Sequence, residues 1–476
     1  MAFTEFCCRS GGSNLNAGTR TGNSTEPGTA ADLTYASGSW VAATGVFTVA
    51  SGDPVADGVA VGDFASVYAD GSTVTGFVGR VTARDTTTIT VSLTAKAGTA
   101  PTDGTGNRTL KIGGAWKGPN GTDKFPFGTI ASTLTNASSD PPRVNFKNDA
   151  TYAITAALGP GTSGIWYEGY TSSYSDGGRA IIDGGTSGAS YYLLDMFSGT
   201  SCTLKNLIFQ NNGATGNNGL VGIYAGTNAI RCVFNNSRGE GLFFGSASSE
   251  AIECEALSCG KSNNTGGGFY VTASCVLIRC IAYSNTGSNI SGIYSTGTSP
   301  VMMLNCIATG NTVGVHINAG ANGGVTAIGC DLYNNSSDGI KISNAAQNTV
   351  IIESSNFVKN GGYGINCSGG IRRGRIRNCG FGAGTQANTS GNTNALSNAI
   401  ETGSVSYASN VTPWADPANG DFRVNLSAAK NAGYGYFTQT ASGQSGTVGY
   451  PDIGAAQAAV SGGGSRMVNV RGGADQ

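Results

Sequence analysis

The sequence predicts an all-β protein whose main part is a parallel β-helix, with a small antiparallel β-domain before it and a cap after it. The first observation is an internal repeat, because one short phrase returns between residues 204 and 379 at intervals of 22 to 26 residues. The second is composition, since glycine supplies 76 of 476 residues and charged residues only 12%, about half the usual ~25%. Repeats of about 20 to 50 residues indicate a solenoid, in which each unit buries its apolar face only against its neighbours.

The repeated phrase consists of an apolar residue, a polar residue and then a cysteine or a residue that replaces it. This alternation has the period of a β-strand. The last positions of successive phrases are Asn206, Cys232, Cys254, Cys280, Cys306, Cys330, Ser354 and Cys379. A second short strand, opened by glycine, follows after a gap of variable length, as at residues 268–270 and 292–294. Constant strands with variable connections are typical of parallel β-helix coils, whereas leucine-rich repeats need several leucines per unit and usually a helix.

Three further segments carry a resemblance to a known family. Residues 180–185 are similar to a common early-coil phrase, and residues 416–424 and 451–455 are similar to the closing segment of many bacterial and phage members. Over roughly residues 145 to 457 the chain resembles the right-handed, single-stranded parallel β-helix proteins of the pectate-lyase-like superfamily, among them phage and bacterial surface spikes. The resemblance implies a right-handed coil but leaves function open, because this fold carries lyases, hydrolases, adhesins and non-catalytic spikes.

Four regions follow one another along the chain. Residues 1–120 lack the repeat and contain alternating runs around the hairpin signal Asp70-Gly71, so they predict an N-terminal antiparallel β-domain for attachment or assembly. Residues 121–400 hold the β-helix and residues 401–460 a C-terminal cap. The glycine-rich residues 461–476 predict a flexible tail.

Charge and hydropathy exclude several classes of partner. The formal net charge is −1, so the chain lacks the basic footprint of a nucleic-acid-binding protein. There is no apolar run of about 18 residues that could span a membrane, and the first residues lack the pattern of a secretory signal. We therefore expect a protein made in the host cytoplasm and carried on a virion surface. An extracellular or cell-surface location is the alternative.

The cysteines of the repeat predict a structural ladder. They occupy one recurrent position next to an apolar residue, in coils that lie about 4.8 Å apart, and a buried thiol behaves as a small hydrophobic group. We expect reduced thiols that point inward at Cys232, Cys254, Cys280, Cys306, Cys330 and Cys379. The chain has no Cys-x-x-Cys motif and one histidine, so no metal site and no cofactor is predicted. The adjacent Cys7 and Cys8 could cross-link subunits.

The second strand of each unit predicts a column of aromatic side chains on an outer face. The residue after the inward apolar one points outward, and the column comprises Tyr224, Phe243, Tyr270, Tyr294 and His316, followed by Lys341 and Asn366. A subunit interface, a glycan-binding surface and a surface covered by long loops are the three interpretations. The interface is preferred, because soluble monomers rarely leave a large apolar stripe bare.

The outward charges of the repeat do not form a recognisable catalytic site. Glu253 lies between Arg231 and Arg279 in neighbouring coils, which predicts a solvated charge ladder and a low carboxyl pKa rather than a general acid. Glu353 lies four coils from Glu253, about 19 Å away and too far for the carboxylate pair of a glycosidase. Asp183 is expected to accept hydrogen bonds from turn amides.

A local basic patch lies on a late coil. It comprises Arg372, Arg373, Arg375 and Arg377. A solvated face is the preferred interpretation, and contact with an acidic glycan or with carboxylates of a partner is the alternative. His316 has no acidic partner that the sequence reveals, so we do not expect it to act as a catalytic base.

Together these observations predict a non-enzymatic surface protein. The preferred function is a phage virion spike, fibre or decoration protein that presents a rigid β-helix and binds cell-surface glycan. A polysaccharide-degrading spike, either lyase or glycoside hydrolase, is the alternative, and a bacterial surface adhesin is the third candidate. The expected partners are other copies of the chain, with a trimer favoured, other virion proteins at the N-terminal domain, and host surface polysaccharide.

Overall fold

A computed structural model gives the structure of the protein. It describes residues 4–13, 16–19, 26–72, 77–97, 99–118, 142–159, 164–185, 192–195, 201–212, 219–223, 226–246, 249–260, 266–288, 290–297, 299–318, 323–343, 349–367, 373–382, 386–389, 399–402, 405–407, 414–417 and 421–424. The chain divides into two compact units. We call residues 1–189 with 193–210 the N-terminal unit, and residues 190–192 with 211–476 the C-terminal unit.

The N-terminal unit contains a closed six-stranded barrel of antiparallel strands. Its strands are β2 (Leu33–Val41), β3 (Val46–Thr48), β4 (Phe64–Ala69), β5 (Phe77–Arg84), β6 (Thr88–Ala97) and β7 (Gly104–Ile112), closed in the order β2-β3-β6-β5-β4-β7. Trp40, Phe47, Phe77 and Leu110 fill its interior. The barrel confirms the predicted antiparallel β-domain, whose alternating runs bury one face of each strand.

The same unit also contains the first coils of the β-helix. Its remaining strands are β1 (Thr4–Arg9), β8 (Trp116–Lys117), β9 (Pro142–Lys147), β10 (Thr151–Ala153), β11 (Ile165–Tyr170), β12 (Ala180–Asp183), β13 (Leu194–Asp195), β14 (Cys202–Lys205) and β15 (Leu207–Asn212). One parallel sheet has the order β14-β11-β9-β1-β8, and a second has the order β10-β12-β15.

The barrel is an insertion within this parallel sheet. Strand β1 lies before the barrel and β8 follows it, yet both belong to the sheet, because β1 pairs in parallel with β8 and with β9. Phe6 of β1 stacks on Trp116 of β8 with ring centroids 4.8 Å apart, and it meets Phe64 of the barrel edge-on at 5.0 Å. The two ends of the predicted N-terminal domain are therefore part of the coil, which the repeat pattern alone does not reveal.

The C-terminal unit is a stack of about eight coils, each made of three strands. Sheet 1 comprises β17 (Asn228–Ile230), β20 (Ser249–Ile252), β23 (Cys275–Ile278), β26 (Val301–Leu304), β29 (Gly324–Ile328), β32 (Thr349–Glu353), β35 (Arg373–Arg377) and β38 (Ala399–Thr402). Sheet 2 comprises β18 (Val233–Ser237), β21 (Glu255–Leu257), β24 (Ile281–Tyr283), β27 (Ile307–Thr309), β30 (Asp331–Tyr333), β33 (Asn356–Val358), β36 (Gly380–Gly382) and β39 (Val405–Tyr407). Sheet 3 comprises β16 (Val221–Ile223), β19 (Leu242–Phe244), β22 (Gly266–Val271), β25 (Ile290–Ser295), β28 (Val313–Ile317), β31 (Ile340–Ile342), β34 (Tyr363–Cys367) and β37 (Gln386–Thr389).

The two predicted strands of each unit are those of sheets 1 and 3, and the sequence did not reveal sheet 2. Only two residues separate a strand of sheet 1 from the next strand, and the first of them has a left-handed backbone. This corner residue has φ between 48° and 55° at Arg231, Glu253, Arg279, Asn305, Ser354 and Asn378. Since only Gly329 in this column is glycine, the corner lacks the Gly or Pro signal that usually marks a turn.

The corner residues also correct the predicted register at two coils. Ser354 occupies the corner, so Ser355 and not Ser354 replaces cysteine in the ladder. The Ser355 hydroxyl accepts a hydrogen bond from the Cys330 amide at 3.0 Å. Asn206 has the same left-handed backbone, with φ of 54°, and therefore matches Arg231 rather than Cys232.

A ladder of buried asparagines lines the corner between sheets 2 and 3. Asn311 illustrates the pattern. Its Oδ1 accepts hydrogen bonds from the backbone and side-chain amides of Asn285, at 3.1 and 2.9 Å, and its Nδ2 donates to the Ala282 carbonyl at 3.0 Å and to Asn335 Oδ1 at 3.1 Å. Asn335 and Asn360 continue the series. Each amide satisfies polar groups of two coils, and this locks their register.

The predicted C-terminal cap lies largely outside the described residues. Within it, β40 (Trp414–Asp416) and β41 (Asp421–Val424) form an antiparallel pair. Trp414 and Phe422 from this pair meet the Tyr333 ring of sheet 2, with centroid distances of 5.3 and 5.9 Å. The hairpin thus packs against the coils of its own unit. The predicted tail, residues 461–476, lies outside the described residues.

Candidate functional site

The outer face of sheet 3 carries a column of stacked rings. Phe243 of β19, Tyr270 of β22, Tyr294 of β25 and His316 of β28 occupy one register position. Their successive centroid distances are 5.2, 5.4 and 5.1 Å. Such tilted arrangements in neighbouring strands are the favourable geometry for aromatic pairs. The structure therefore brings these four predicted residues together, whereas Tyr224 lies outside the described residues.

The beginning of the column differs from the sequence prediction. Tyr192, which precedes β13, stacks on Phe243 with a centroid distance of 6.0 Å and an interplanar angle of 28°. Sequence reasoning missed Tyr192 because it belongs to no repeat, and only the folded chain brings it to the column.

The rings differ in exposure. Tyr294 is 3% exposed and His316 is 7% exposed, although the sequence placed both on an outer surface that another subunit or a ligand would have to cover. The single chain therefore already buries this half of the column. Phe243 and Tyr270 remain partly exposed. We call these two rings the aromatic platform.

His316 is held as a neutral ring. Its Nε2 lies 2.8 Å from Ser343 Oγ, and Nδ1 has no hydrogen-bond partner. Burial, followed by the positive charge of Lys341, lowers the pKa of His316 to about 4. A base of such low pKa is almost entirely unprotonated at neutral pH but weak. A general base works best when its pKa lies near the operating pH.

A carboxyl group that the sequence analysis missed lies beside the platform. Glu240 precedes β19, is only 8% exposed, and its Oε2 has no hydrogen-bond partner. Burial raises the pKa of Glu240 to about 7. Glu240 in turn contributes to the raised pKa of Tyr270, after burial and the Tyr294 ring. No sequence signal distinguishes Glu240, because the residue before the glycine of this strand varies from coil to coil, as at Gly267, Val313 and Asp338.

At the opposite end of this face, a carboxylate has hydrogen-bond partners for both of its oxygens. Asp338, just before β31, accepts hydrogen bonds from the Tyr363 amide at 2.8 Å and from Asn366 Nδ2 at 3.0 Å. Lys341 and Asn366 continue the column of His316 in the register of the sheet. The aromatic part of the column therefore ends at His316, and the polar residues Lys341 and Asn366 follow it as the sequence predicts.

The predicted charge ladder is present on the corner of sheet 1. Glu253 forms ion pairs with Arg231 and Arg279, each with an N–O distance of 2.7 Å. Glu353 differs from the prediction, because it is buried and its Oε1 lies 2.6 Å from Arg375 Nε. The one-residue shift of register places Glu353 opposite Ile328 rather than in the column of Glu253.

The predicted basic patch is only partly described. Arg372 and the side chain of Arg373 lie outside the described residues. Arg375 and Arg377 are half-buried on β35, and Arg375 pairs with Glu353. One of the patch cations therefore neutralises a buried carboxylate of its own chain. As expected from the sequence, Asp183 accepts a hydrogen bond from a turn amide, because its Oδ1 lies 2.6 Å from the Gly185 backbone nitrogen.

All cysteines of the predicted ladder are buried thiols, and within the described part of the chain no disulfide joins them. From Cys254 onward each thiol donates to a backbone carbonyl of the preceding coil, at 3.2 to 3.7 Å. Burial raises the pKa of Cys280 and Cys330 well above the ordinary value, which keeps these thiols protonated and unreactive.

The idea that Cys7 and Cys8 cross-link subunits does not fit the structure. Both side chains are fully buried in the N-terminal unit, and Cys7 Sγ lies 3.0 Å from the Tyr170 hydroxyl. The alternation of β1 directs the two cysteines to opposite faces of a sheet that is covered on both sides. Neither thiol can reach another chain without unfolding this strand.

Two kinds of feature are absent from the described residues. Among them, no group of three or more His, Cys, Asp or Glu residues is arranged to hold a metal ion. The described part of the chain also contains no helix long and apolar enough to cross a bilayer.

Comparisons with known proteins address the fold. Residues 193–350 match the family described as "Right handed beta helix region". The solved structure of the Geobacillus virus E2 ORF18 protein is similar over 58% of this chain, with 15% identity and a TM-score of 0.29. This chain spans about half (54%) of that protein's length. No curated protein matches. The chain thus contains a right-handed parallel β-helix, the fold that its sequence resembles.

Proposed function

We propose that the protein is a non-enzymatic surface protein, a virion spike, fibre or decoration protein, that binds cell-surface glycan at the aromatic platform. The single observation that carries glycan binding is the pair Phe243 and Tyr270, two partly exposed rings 5.2 Å apart on a sheet face. Sugars present apolar C–H faces that such rings accept, and their hydroxyls need polar groups at the rim.

The packing behind the platform supports a structural role. Tyr294 and His316 extend the stack into the buried part of the face, and the Tyr294 hydroxyl accepts a hydrogen bond from Asn318 at 3.1 Å. The asparagine and cysteine ladders hold successive coils in register beneath it. A pre-formed surface of this kind loses little conformational entropy when it binds a ligand.

The same proposal includes attachment of the protein to other virion proteins through the barrel, and a separate observation supports this. Among the described residues four large apolar side chains are strongly exposed, and three of them, Val41, Val55 and Val61, belong to the barrel region. Exposed apolar side chains favour contact with another protein. Assembly as a homotrimer also stays a proposal, which the native mass of the full chain tests.

A polysaccharide-degrading protein is the second candidate, and Glu240 is the observation that favours it. A carboxyl with a pKa of about 7 is the kind of group that acts as a general acid. A glycosidase also needs a second carboxylate roughly 5 to 10 Å away. Asp338, the next carboxylate in the Glu240 column, is four coils distant, about 19 Å at ~4.8 Å per coil. We therefore prefer binding without turnover.

A glycan microarray tests the proposal. The double variant Phe243→Ala with Tyr270→Ala should bind its best oligosaccharides about 30-fold more weakly than wild type, because truncating buried aromatic anchors costs about 2 kcal/mol. Met302→Ala is the matched control, since Met302 is an exposed apolar side chain of sheet 1 (40% exposed) and should leave binding unchanged.

Three results would contradict the proposal in different ways. If wild type binds no printed glycan, the glycan-binding function is wrong. If the double variant instead lowers the native mass of the assembly, the platform is a subunit interface. If wild type releases new reducing ends or unsaturated products from a bound polysaccharide, and Glu240→Gln abolishes them, the protein is a degrading enzyme.

A further inference from the structure

Glu240 is a buried carboxyl group in which one of the two oxygens lacks a hydrogen-bond partner. It is 8% exposed, and Oε2 accepts no hydrogen bond in the described structure. An unpaired buried polar atom costs about 1 to 3 kcal/mol, so such a group is usually retained for a partner that the isolated chain lacks. Asp338, four coils away in the same column, accepts a hydrogen bond on each of its two carboxylate oxygens.

The register of sheet 3 places the Glu240 side chain on the outer face. The carbonyls of Glu240, Gly267 and Asp338 each accept the backbone amide of the preceding coil, from Leu220, Gly241 and Gly314, so the three residues occupy equivalent positions. At this position the Asp338 carboxylate reaches Asn366, a member of the outer column. The electrostatic effect of Glu240 on Tyr270 agrees with the same orientation.

The coils on either side of Glu240 leave its carboxyl uncrowded. Gly219 precedes it in the column and Gly267 follows it, so neither neighbour projects a side chain. A Cβ at Gly219 would lie 3.1 Å from the Glu240 Cβ, and one at Gly266 would lie 3.7 Å from its Cγ. Glycine at these positions preserves the space around the carboxyl, next to the platform.

The charges that face Glu240 do not neutralise it. Burial is the largest cause of its raised pKa, and its own backbone amide opposes that shift. Tyr270 faces it from β22 with a pKa that is itself raised, and Arg238 lies two residues earlier on the same loop. Lys341 acts on His316, three coils from Glu240 along the face. Among the described residues no cation holds the Glu240 carboxyl in its ionised form, so it takes up a proton as the pH falls.

We propose that Glu240 is the polar anchor of a saccharide subsite whose apolar floor is the aromatic platform, and that its carboxylate accepts hydrogen bonds from sugar hydroxyls. This inference rests on the proposed glycan-binding function and adds that the binding is regulated by pH. Hydroxyl groups bind an ionised carboxylate more strongly than a neutral acid. Binding must therefore release the proton that Glu240 holds at acidic pH, and affinity must rise with pH.

The size of the effect follows from the pKa of the free protein. With a pKa of about 7, about 3% of Glu240 is ionised at about pH 5.5 and nearly all at about pH 8.5. A ligand that requires the carboxylate is then bound up to about 30-fold more weakly at the lower pH. The substitution Glu240→Gln keeps the size of the side chain but removes the titrating group, so the pH dependence of binding should disappear.

The experiment is a microarray of neutral and uronate-containing oligosaccharides, probed with the full chain at about pH 5.5 and pH 8.5. Wild type should bind its best neutral oligosaccharide about 30-fold more tightly at the higher pH. Glu240→Gln should show equal affinity at both. Glu255→Gln removes a carboxylate on sheet 2 and is the control that should keep the wild-type pH dependence. Circular dichroism at both pH values checks that the variants are folded.

The outcomes separate this inference from the function on which it rests. If wild type binds equally at both pH values, while the platform variant still loses binding, the role of Glu240 is wrong and the glycan function stands. Tighter binding at the lower pH would also overturn the role, because Glu240 would then donate as a neutral acid. If no oligosaccharide binds at either pH, both the function and the inference are wrong.

Discussion

The buried Glu240 carboxyl should make the stability of the C-terminal unit depend on pH in a way that one substitution removes. The pKa of this group is raised from 4.5 to about 7, chiefly by burial. Between these values the folded chain holds a proton that the unfolded chain has lost. Stability therefore falls as pH rises through this window, and the loss is complete above about pH 7.

The magnitude follows from the width of that window. A window of about 2.5 pH units at about 1.36 kcal/mol each corresponds to a loss on the order of 3 kcal/mol. Because Gln is neutral at every pH and similar in size to a protonated Glu, Glu240→Gln should raise the free energy of unfolding by up to this amount at about pH 8.5. At about pH 4 the substitution should have little effect.

Urea unfolding followed by far-ultraviolet circular dichroism measures both values, with wild type and variant compared at each pH so that the titration of other groups cancels. Glu255→Gln serves as the control for removing a charge from the same unit, and its effect should be small at both pH values. An equal effect of Glu240→Gln at pH 4 and at pH 8.5 would refute the reasoning, since Glu240 would then not be protonated in the folded chain.

Two further predictions concern the ladders. Thiol titration in denaturant without reductant should find all twelve cysteines reactive, because the structure holds them as buried thiols; fewer than half would disprove the ladder. Asn311→Ala should lower the free energy of unfolding by on the order of 3 kcal/mol, since it removes four hydrogen bonds from a side chain that is 1% exposed. In the control Asn366→Ala, which loses one bond of a partly exposed side chain, the cost should stay below about 1 kcal/mol, and equal costs would contradict the ladder's role.

The fold class could be predicted from the sequence because each sequence repeat corresponds to one coil of the structure. Each turn must return an apolar residue to the interior at the same place, so Cys254, Cys280 and Cys306 recur at a nearly constant interval. The alternation within each phrase predicts strands, and it correctly located sheets 1 and 3. The charge ladder at Glu253 was also predictable, since its partners occupy the same place in adjacent repeats.

The second sheet and the exact register were not readable, because the corner between sheets 1 and 2 is only two residues long and turns at one left-handed residue. Non-glycine residues such as Arg279 and Asn305 adopt this conformation only because the flanking strands hold them in it. Backbone hydrogen bonds between coils then decide the register. They assign Ser355 rather than Ser354 to the ladder and place the buried Glu353 opposite Ile328.

The sequence by itself determined that this chain coils, how long each coil is and which thiols point inward, since these depend on patterns within one repeat. Only the tertiary structure decided what surrounds each side chain. It inserted the barrel between β1 and β8, brought Tyr192 to Phe243, buried Tyr294 and His316, and left Oε2 of Glu240 without a hydrogen-bond partner. Burial and hydrogen bonding depend on residues distant in sequence, so no local pattern encodes them.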